Sequence, residues 1–437
     1  MKIGIRKEDK SVWERRVPFI PSDIKELRKK GIDMVVQSAP HRAFTDAEFA
    51  AQGIPVQDDL KNCDMIIGIK EIPPALFEEN KIYVFFAHVI KGQAHNMPML
   101  RSMMANNVTL IDYEKVTDDQ NRRLIFFGRH AGLAGMINSL WALGQRYALE
   151  GIATPFARMQ QAHHYHDLEA AKAVIREIRT DIEKNGIPRA IHPVIVGLSG
   201  YGNVSKGAQE ILDLLPFEEI LPDKVAEIAE NPNVSDRKIY KVIFRKEHCA
   251  RPKDRNTVFD EQEYYRYGKE KYENNFRQYA GHLNLLVNGM YWDSRYPRLV
   301  TKEMCKELWA EGNHTRLRVI GDISCDVEGA IECTGKTCDP GNPVYVYDPD
   351  TCKIAYGFAG KGPVIMAVDI LPAELPRESS VWFSRVLMEF APNLAEADFS
   401  LCFEQLNLRP ELKRAVILHH GEFTPEYAYI RRFLDVN

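Results

Sequence analysis

The stretch Pro193–Ala208, PVIVGLSGYGNVSKGA, decides the fold: an apolar run enters Gly200-x-Gly202-x-x-Ser205 and a helical pattern, Ala208–Leu215, follows at once. A strand turning tightly into a helix leaves backbone N–H groups unpaired at the helix start, beside the positive end of its dipole. A backbone that touches a pyrophosphate needs a turn without side chains, and Gly200 and Gly202 stand where that need falls. Ser205 takes the third glycine position and is small enough for close helix–strand packing. The bland alternative is a βα turn that merely needs two glycines, so the elements on either side decide between the two.

Those elements alternate. Lys2–Arg6 alternates like a strand, and Pro21-Ser22-Asp23 opens a helix that stops at Gly31. Met34–Gln37 is β-rich, and Thr45-x-x-Glu48 is a capping box before a short helix ending at Gly53. Met65–Ile69 and Ile82–Ala87 are compact apolar runs suited to buried parallel strands, followed by a helix over Gln93–Asn106 and a strand over Val108–Tyr113. A long apolar helix, Gly128–Gly151, carries Ala131, Gly132, Ala134 and Gly135, which imply close packing or a hinge. A helix over Asp167–Lys184 leads to the glycine run. Beyond it, Lys241–Phe244, Leu283–Asn288 and Arg318–Ile323 read as strands and Thr301–Trp309 as a helix. The tyrosine-rich insert from Asp260 to His282 lacks a basic run, so it reads as a cover and not as a base-stacking surface. The tail from Ser379 to Asn437 has mixed helical patterns. This is an α/β chain, with two Rossmann-like domains of parallel strands and a cleft between them expected. Residues 1–130 with 378–437 are expected to form a substrate and catalytic domain, and 131–377 a dinucleotide-binding domain.

Composition narrows the class. A chain of 437 residues is long enough for two or three domains at roughly 150 residues each. With 57 basic and 61 acidic side chains, and no basic stripe, nucleic acid is an unsuitable partner. No apolar run reaches the length of a membrane span, and MKIGIRKEDK lacks the apolar core of a secretory leader. The eight cysteines are thinly spread; four lie between Cys325 and Cys352 without a C-x-x-C pair, so reduced thiols are expected, with no metal. A cytoplasmic location fits, or a mitochondrial one for a piece of a larger eukaryotic enzyme.

Several residues could carry chemistry. Lys70 follows the strand MIIGI and His88 the strand IYVFFA, and parallel sheets gather ligands outside the carboxyl ends of their strands. A lysine and a histidine sharing a crevice lower each other's pKa toward neutrality, which suits proton transfer. Arg16, Lys91 and Arg123 could bind carboxylates. The alternative is a set of solvated loop cations and a hydrogen-bonded histidine at a strand end. Asp326, after the strand ending near Ile323, could meet a cationic substrate group or simply cap a turn. His163-His164-x-His166 could hold a metal, although three histidines at a helix start more often face solvent. Around the glycine run, Ser199, Gly200, Gly202, Asn203 and Val204 are the nucleotide candidates, with Asn288 at a neighbouring strand end. An acid about 20 residues beyond the turn marks NAD. Glu218 and Glu219 lie near that offset, whereas Arg245 and Lys246 could take a 2′-phosphate. The choice stays open, leaning to NADP(H).

A wider pattern joins these residues. WERRVPFIP (Trp13–Pro21), IKEIPP (Ile69–Pro74), FFAHVIKGQAHN (Phe85–Asn96), LIDYEK (Leu110–Lys115) and SGYGNVSKGAQ (Ser199–Gln209) stand in order, followed by LVNGMYW (Leu286–Trp292), GDISCDVEGAIE (Gly321–Glu332) and VDILPAELPRESS (Val368–Ser380). Together they closely resemble the lysine–ketoglutarate reductase domain of the bifunctional aminoadipic semialdehyde synthases and, more distantly, lysine-forming saccharopine dehydrogenase and alanine dehydrogenase. The resemblance implies a reductive condensation: the ε-amine of lysine attacks the keto carbon of 2-oxoglutarate, water leaves, and NAD(P)H reduces the imine to saccharopine. It implies an acid–base pair at Lys70 and His88, carboxylate contacts at Arg16, Lys91 and Arg123, and Asp326 near the substrate amine. It also implies an N-terminal domain completed by helices from the chain's end, with a homo-oligomer left open. Gly197, Tyr201 and the histidine cluster depart from the animal sequences. The saccharopine-cleaving domain of the synthases would lie beyond Asn437, so the sequence reads as a free-standing reductase or one piece of a longer protein. Two alternatives remain: an alanine-dehydrogenase-like or other opine-forming enzyme, and a nucleotide-binding regulatory subunit without catalysis.

Overall fold

A computed structural model describes residues 1–311 and 314–434. The chain divides into two compact units, one of Met1–Phe127 with the residues from Pro376 onward, the other of Gly128–Leu375.

The first unit begins with six strands: β1 (Lys2–Ile5), β2 (Asp33–Gln37), β3 (Val56–Gln57), β4 (Met65–Ile67), β5 (Ile82–Phe85) and β6 (Thr109–Asp112). They pair in parallel in the order β3-β2-β1-β4-β5-β6, so the winding reverses between β1 and β4. β4 and β5 are buried along their whole length, as their unbroken apolar runs require in a sheet covered on both faces. The capping box at Thr45 forms, with Thr45 Oγ1 accepting the Glu48 N–H and the Glu48 carboxylate accepting the Thr45 N–H. The expected helix at Gln93 begins as a 3₁₀ turn, and its α-helix runs over Met97–Ala105.

The second unit adds β7 (Ile195–Ser199), β8 (Phe217–Ile220), β9 (Ile239–Phe244), a hairpin of β10 (Ala250–Pro252) and β11 (Tyr272–Asn274), β12 (Leu285–Asn288), β13 (Val319–Asp322), β14 (Val344–Tyr347), β15 (Ile354–Tyr356) and β16 (Val364–Met366). Its sheet runs β15-β14-β16-β13-β12-β7-β9-β8, parallel from β16 to β8, with β14 and β15 antiparallel at one edge. The winding reverses between β7 and β12. Strands β14–β16, beyond β13 in sequence, have no counterpart in the pattern read from the sequence. β9 occupies the place beside β7, and β8 lies beyond it. β9 is buried at nearly every position whereas β8 exposes its first three residues, so burial puts β9 inside and β8 at the edge.

The small residues of the helix Gly128–Leu149 serve packing inside this unit. A Cβ on Gly132 would run into the Val204 carbonyl, and one on Gly207 into the Arg129 carbonyl. These two glycines let the long helix cross the helix Asn203–Leu212 backbone to backbone. The tyrosine-rich insert forms a helix, Glu261–Tyr267, then β11 and the short helix Arg277–Ala280, around a cluster of Ala250, Tyr264, Tyr272 and Tyr296.

The tail corrects one expectation. It holds the helix Pro376–Leu387, but also β17 (Val416–His419), which extends the first sheet antiparallel to β6, and β18 (Glu422–Phe423), antiparallel to β17 at the edge. Val416–Leu418 is wholly buried, and a three-residue apolar run carries no periodicity to separate strand from helix. The helix is tied to the N-terminal loop, with Ser380 and Ser384 accepting the N–H groups of Val17 and Ile20. Among the described residues no helix is long and apolar enough to cross a membrane.

Candidate active site

In open parallel sheets ligands collect where the winding reverses, outside the carboxyl ends of the strands. In the first unit that place lies between the loops after β1 and β4, and it holds a dense set of charges. Glu8, from the loop after β1, accepts the backbone N–H groups of Ile69 and Lys70 at 2.7 and 3.0 Å. One carboxylate thus pins the loop that carries Lys70. Burial, then the neighbouring Glu14, pushes the Glu8 carboxyl up to about 7.

Lys70 is partly buried, and its ammonium makes no hydrogen bond or ion pair among the described residues. Burial, reinforced by the Arg16 charge, moves its pKa down from the ordinary lysine value. A buried amine of this kind exchanges a proton more readily than a solvated one. Glu71, next in sequence, accepts from His88 Nδ1 at 2.8 Å and from Lys10 Nζ at 2.7 Å. Burial opposes ionisation of Glu71, but these two partners hold its carboxyl well below the usual range. An ionised Glu71 accepts the Nδ1 proton and leaves His88 Nε2 to exchange protons. His88 has φ +50, a left-handed conformation uncommon outside glycine, and its ring lies 6.0 Å from that of Phe86 at an interplanar angle of 14°.

The cations divide. Arg16 is 3% exposed; its Nε and Nη2 grip the two Glu14 oxygens at 2.7 and 2.5 Å, and its guanidinium lies over the Phe127 ring. Glu14 is thereby kept ionised, with Arg16 outweighing the cost of burial. Arg123, half-exposed, donates to Glu114 at 2.7 Å. Lys91 is exposed and has no ion pair among the described residues. Asp112, fully buried at the carboxyl end of β6, is pushed up to about 7 by burial and the nearby Glu114. The acids Glu8, Glu14, Glu71, Asp112 and Glu114 escaped the sequence reading. Glu8 and Glu14 stand in an ordinary polar run, Asp112 and Glu114 at the end of an apolar strand, and only Glu71, beside Lys70, had a local pointer.

In the second unit the reversal falls between β7 and β12, where the glycine turn lies. Gly200 has φ +90, and a Cβ there would sit 3.2 Å from the Gly289 carbonyl oxygen. A Cβ on Gly202 would meet nothing within 4 Å, so the turn opens onto free space. The helix that starts at Asn203 and Val204 has no side-chain cap. Ser199 Oγ donates to Asn288 Oδ1 at 2.6 Å, and Asn288 Nδ2 donates to Asp322 Oδ1 at 2.9 Å. Thr334 closes this buried chain on Asp322, whose carboxyl is raised by burial. Ser199 and Asn288 therefore clamp the ends of β7, β12 and β13 together beneath the turn. Asp326 is exposed after β13, in a turn closed by the Gly329 N–H on its carbonyl.

Glu219 and Arg245 are separated by the strand order. Glu219 is on the edge strand β8, paired at 2.9 Å with the buried Lys241. Arg245 follows β9, beside the glycine turn, is exposed, and has no carboxylate partner among the described residues. Of the histidine cluster, His163 faces Glu374 at 3.2 Å and His166 is turned to solvent against Asp167. Among the described residues no group of three or more His, Cys, Asp or Glu side chains could hold a metal, and all eight cysteines are free.

The comparisons with known proteins agree with this architecture. Residues 4–134 match the family model described as alanine dehydrogenase/PNT, N-terminal domain. The alpha-aminoadipic semialdehyde synthase of Arabidopsis thaliana is 35% identical over 100% of this chain and 42% of its own length. The mitochondrial synthase of Mus musculus is 33% identical over 99% of this chain and 48% of its own. The chain thus spans less than half the length of these curated relatives. The lysine-forming, NAD(+) saccharopine dehydrogenase of Emericella nidulans is 26% identical over 92% of this chain and 95% of its own. Among solved structures, an L-alanine dehydrogenase superposes with a TM-score of 0.63 at 16% identity, covering 99% of this chain and all of that one. The transhydrogenase of Sinorhizobium meliloti gives 0.54 at 14% identity, covering 97% of this chain and all of its own; both likenesses concern the fold. Residues 4–134 are thus similar to an alanine dehydrogenase/PNT N-terminal domain, and the chain is similar over its whole length to part of the aminoadipic semialdehyde synthases and over 92% of it to a lysine-forming saccharopine dehydrogenase.

Proposed function

We propose that this chain is an oxidoreductase that condenses L-lysine with 2-oxoglutarate and reduces the resulting imine, forming saccharopine. The observation that carries the reading is the partly buried Lys70 amine, next in sequence to the Glu71 that anchors His88, at the reversal of a sheet in a chain similar to a saccharopine dehydrogenase by name. Lys70, its charged form disfavoured by burial, takes the proton that the substrate ε-ammonium must lose before it attacks. His88, with Nδ1 anchored on Glu71, presents Nε2 to the carbinolamine hydroxyl and supplies the proton with which water leaves. Arg123 and Lys91 are cations open to the substrate carboxylates. Arg16 supports them from within, sharing its charge with Glu14. Asp326 is the candidate partner of the substrate amine.

A nicotinamide cofactor fits the second unit. The open space over Gly202, the left-handed Gly200 and the uncapped helix start suit a pyrophosphate. When bound, the dinucleotide supplies the hydride that reduces the imine carbon. NADP(H) is favoured over NAD(H), because Arg245, beside the turn, has no carboxylate partner among the described residues while Glu219 is held by Lys241 one strand away. The substrates are small molecules, and this reading needs neither a metal nor a macromolecular partner. The test is the absorbance of NADPH and NADH in the presence of 2-oxoglutarate, with and without lysine, and saccharopine detected by mass. Oxidation that requires both substrates supports the reading. Faster turnover of pyruvate with ammonia would replace it with an alanine-dehydrogenase-like activity.

A further inference from the structure

The tyrosine-rich insert does not stand apart from the glycine turn. A cavity of about 380 Å³ lies between them, lined by Gly200–Gly202, Lys246, Tyr264, Tyr265, Tyr291 and Tyr296, with Gly289 at its base. Tyr264 and Tyr296 are buried and stack on each other at 4.9 Å. Tyr201, Tyr265 and Tyr291, by contrast, are 46, 43 and 78% exposed around its mouth. Exposed aromatic rings gathered round one opening mark a surface that binds a flat apolar ligand.

The polar end of this cavity is equally specific. Lys246 Nζ is held by Glu261 Oε1 at 2.5 Å, by the Tyr201 hydroxyl at 3.0 Å and by the Tyr265 hydroxyl. Tyr201 belongs to the glycine turn, Lys246 to the end of β9, and Glu261 and Tyr265 to the insert. Three segments far apart in sequence converge on one ammonium, which is 18% exposed while its acid partner is 49% exposed. Arg245, next to it, lies 5.7 Å from the centre of the Tyr201 ring. In a nucleotide-binding sheet the end of the strand beside the glycine-turn strand meets the adenosine ribose, and here that strand is β9.

We infer that the insert completes an adenosine subsite: the exposed tyrosines stack the base, and Lys246, paired with Glu261, joins Arg245 on a ribose 2′-phosphate. The subsite rests on the nucleotide reading above and goes beyond it in giving the insert a task and Glu261 the part of a competitor. A dianionic 2′-phosphate displaces a half-exposed carboxylate from Lys246, since it offers more charge and more acceptor oxygens. A 2′-hydroxyl cannot, so Glu261 weakens phosphate binding without rejecting it.

Titration calorimetry of the full chain with adenosine 2′,5′-bisphosphate and with 5′-AMP tests this without turnover. The bisphosphate should bind about tenfold or more tightly than AMP, as one charge-assisted contact provides. Lys246→Met should remove most of that preference and leave AMP unchanged. Glu261→Gln should raise bisphosphate affinity several-fold, and Tyr291→Ala should weaken both probes by about tenfold, the loss of one stacked ring. Equal binding of the two probes by the parent chain, or an unchanged preference in Lys246→Met, overturns the subsite but leaves the nucleotide reading intact. Weaker bisphosphate binding in Glu261→Gln also overturns it and makes Glu261 a ribose-hydroxyl acceptor instead. Binding of neither probe, nor of NADPH or NADH, removes the nucleotide reading itself.

Discussion

His88 Nδ1 lies 2.8 Å from Glu71 Oε1, and the same carboxylate's other oxygen lies 2.7 Å from Lys10 Nζ. Glu71 follows Lys70 directly, so one dipeptide supplies both the amine and the anchor of the imidazole. The pair spans β4 and β5, and His88 adopts a left-handed backbone at its point of contact.

Replacing His88 with Ala should lower kcat by about 10²–10⁴, the usual worth of a positioned acid or base. Glu71→Gln keeps the shape but loses the charge that selects the Nδ1–H tautomer, so it should fall between the parent and His88→Ala. Steady-state kinetics of the three proteins check the order. Equal activity of parent and His88→Ala would remove the imidazole from the reaction.

Lys70 must be neutral to accept a proton, and burial moves its pKa below that of free lysine. The value of kcat/KM should therefore fall as pH drops through the depressed pKa, with a slope of one proton. Lys70→Arg keeps the positive charge at every accessible pH and should lose about 10²-fold or more in kcat. Its nucleotide affinity should match that of the parent.

The Glu8 carboxyl moves from 4.5 to about 7 on folding, chiefly by burial. Between those values the unfolded chain has released a proton that the folded chain keeps. Stability tied to this group is thus fully present below pH 4.5 and lost as pH rises to about 7. The loss amounts to about 3 kcal/mol. Glu8→Gln should flatten the fall in thermal midpoint between pH 5 and pH 7, at the expense of one of the two backbone hydrogen bonds to the Lys70 loop. Asp112, also raised to about 7, leaves a residual slope of the same sign.

Gly132→Ala and Gly207→Ala each drive a methyl group into a backbone carbonyl where the two helices cross. Each should cost about 1–3 kcal/mol or more, seen as a lowered thermal midpoint. Gly202→Ala, whose Cβ meets nothing within 4 Å, should leave the midpoint unchanged and weaken nucleotide binding.

The parallel cores were legible because β4, β5 and β7 are buried on both faces and so must be written as unbroken apolar runs. The glycine turn was legible for a similar reason, since a left-handed Gly200 packed 3.2 Å from the Gly289 carbonyl admits few other residues. Strands β14, β16 and β17 were not, because three or four buried residues fit a strand or a helix equally well, and the exposed three-residue β15 is too short to show a period. The acids around Lys70 were hidden too. Glu8 and Glu14 look like any exposed carboxylates until the β1 loop folds over the end of β4.

From local pattern alone, then, come the α/β class, the glycine turn between strand and helix and the placing of Lys70 and His88 at strand ends, because hydrophobic period and backbone freedom are properties of neighbours in sequence. Tertiary structure decided that β9 and not β8 lies beside the glycine-turn strand, that Glu219 serves Lys241 while Arg245 has no carboxylate partner among the described residues, and that Arg16 answers to Glu14. Those outcomes depend on which surfaces are buried together and which charges lose their water, and such terms arise only when segments distant in the chain meet.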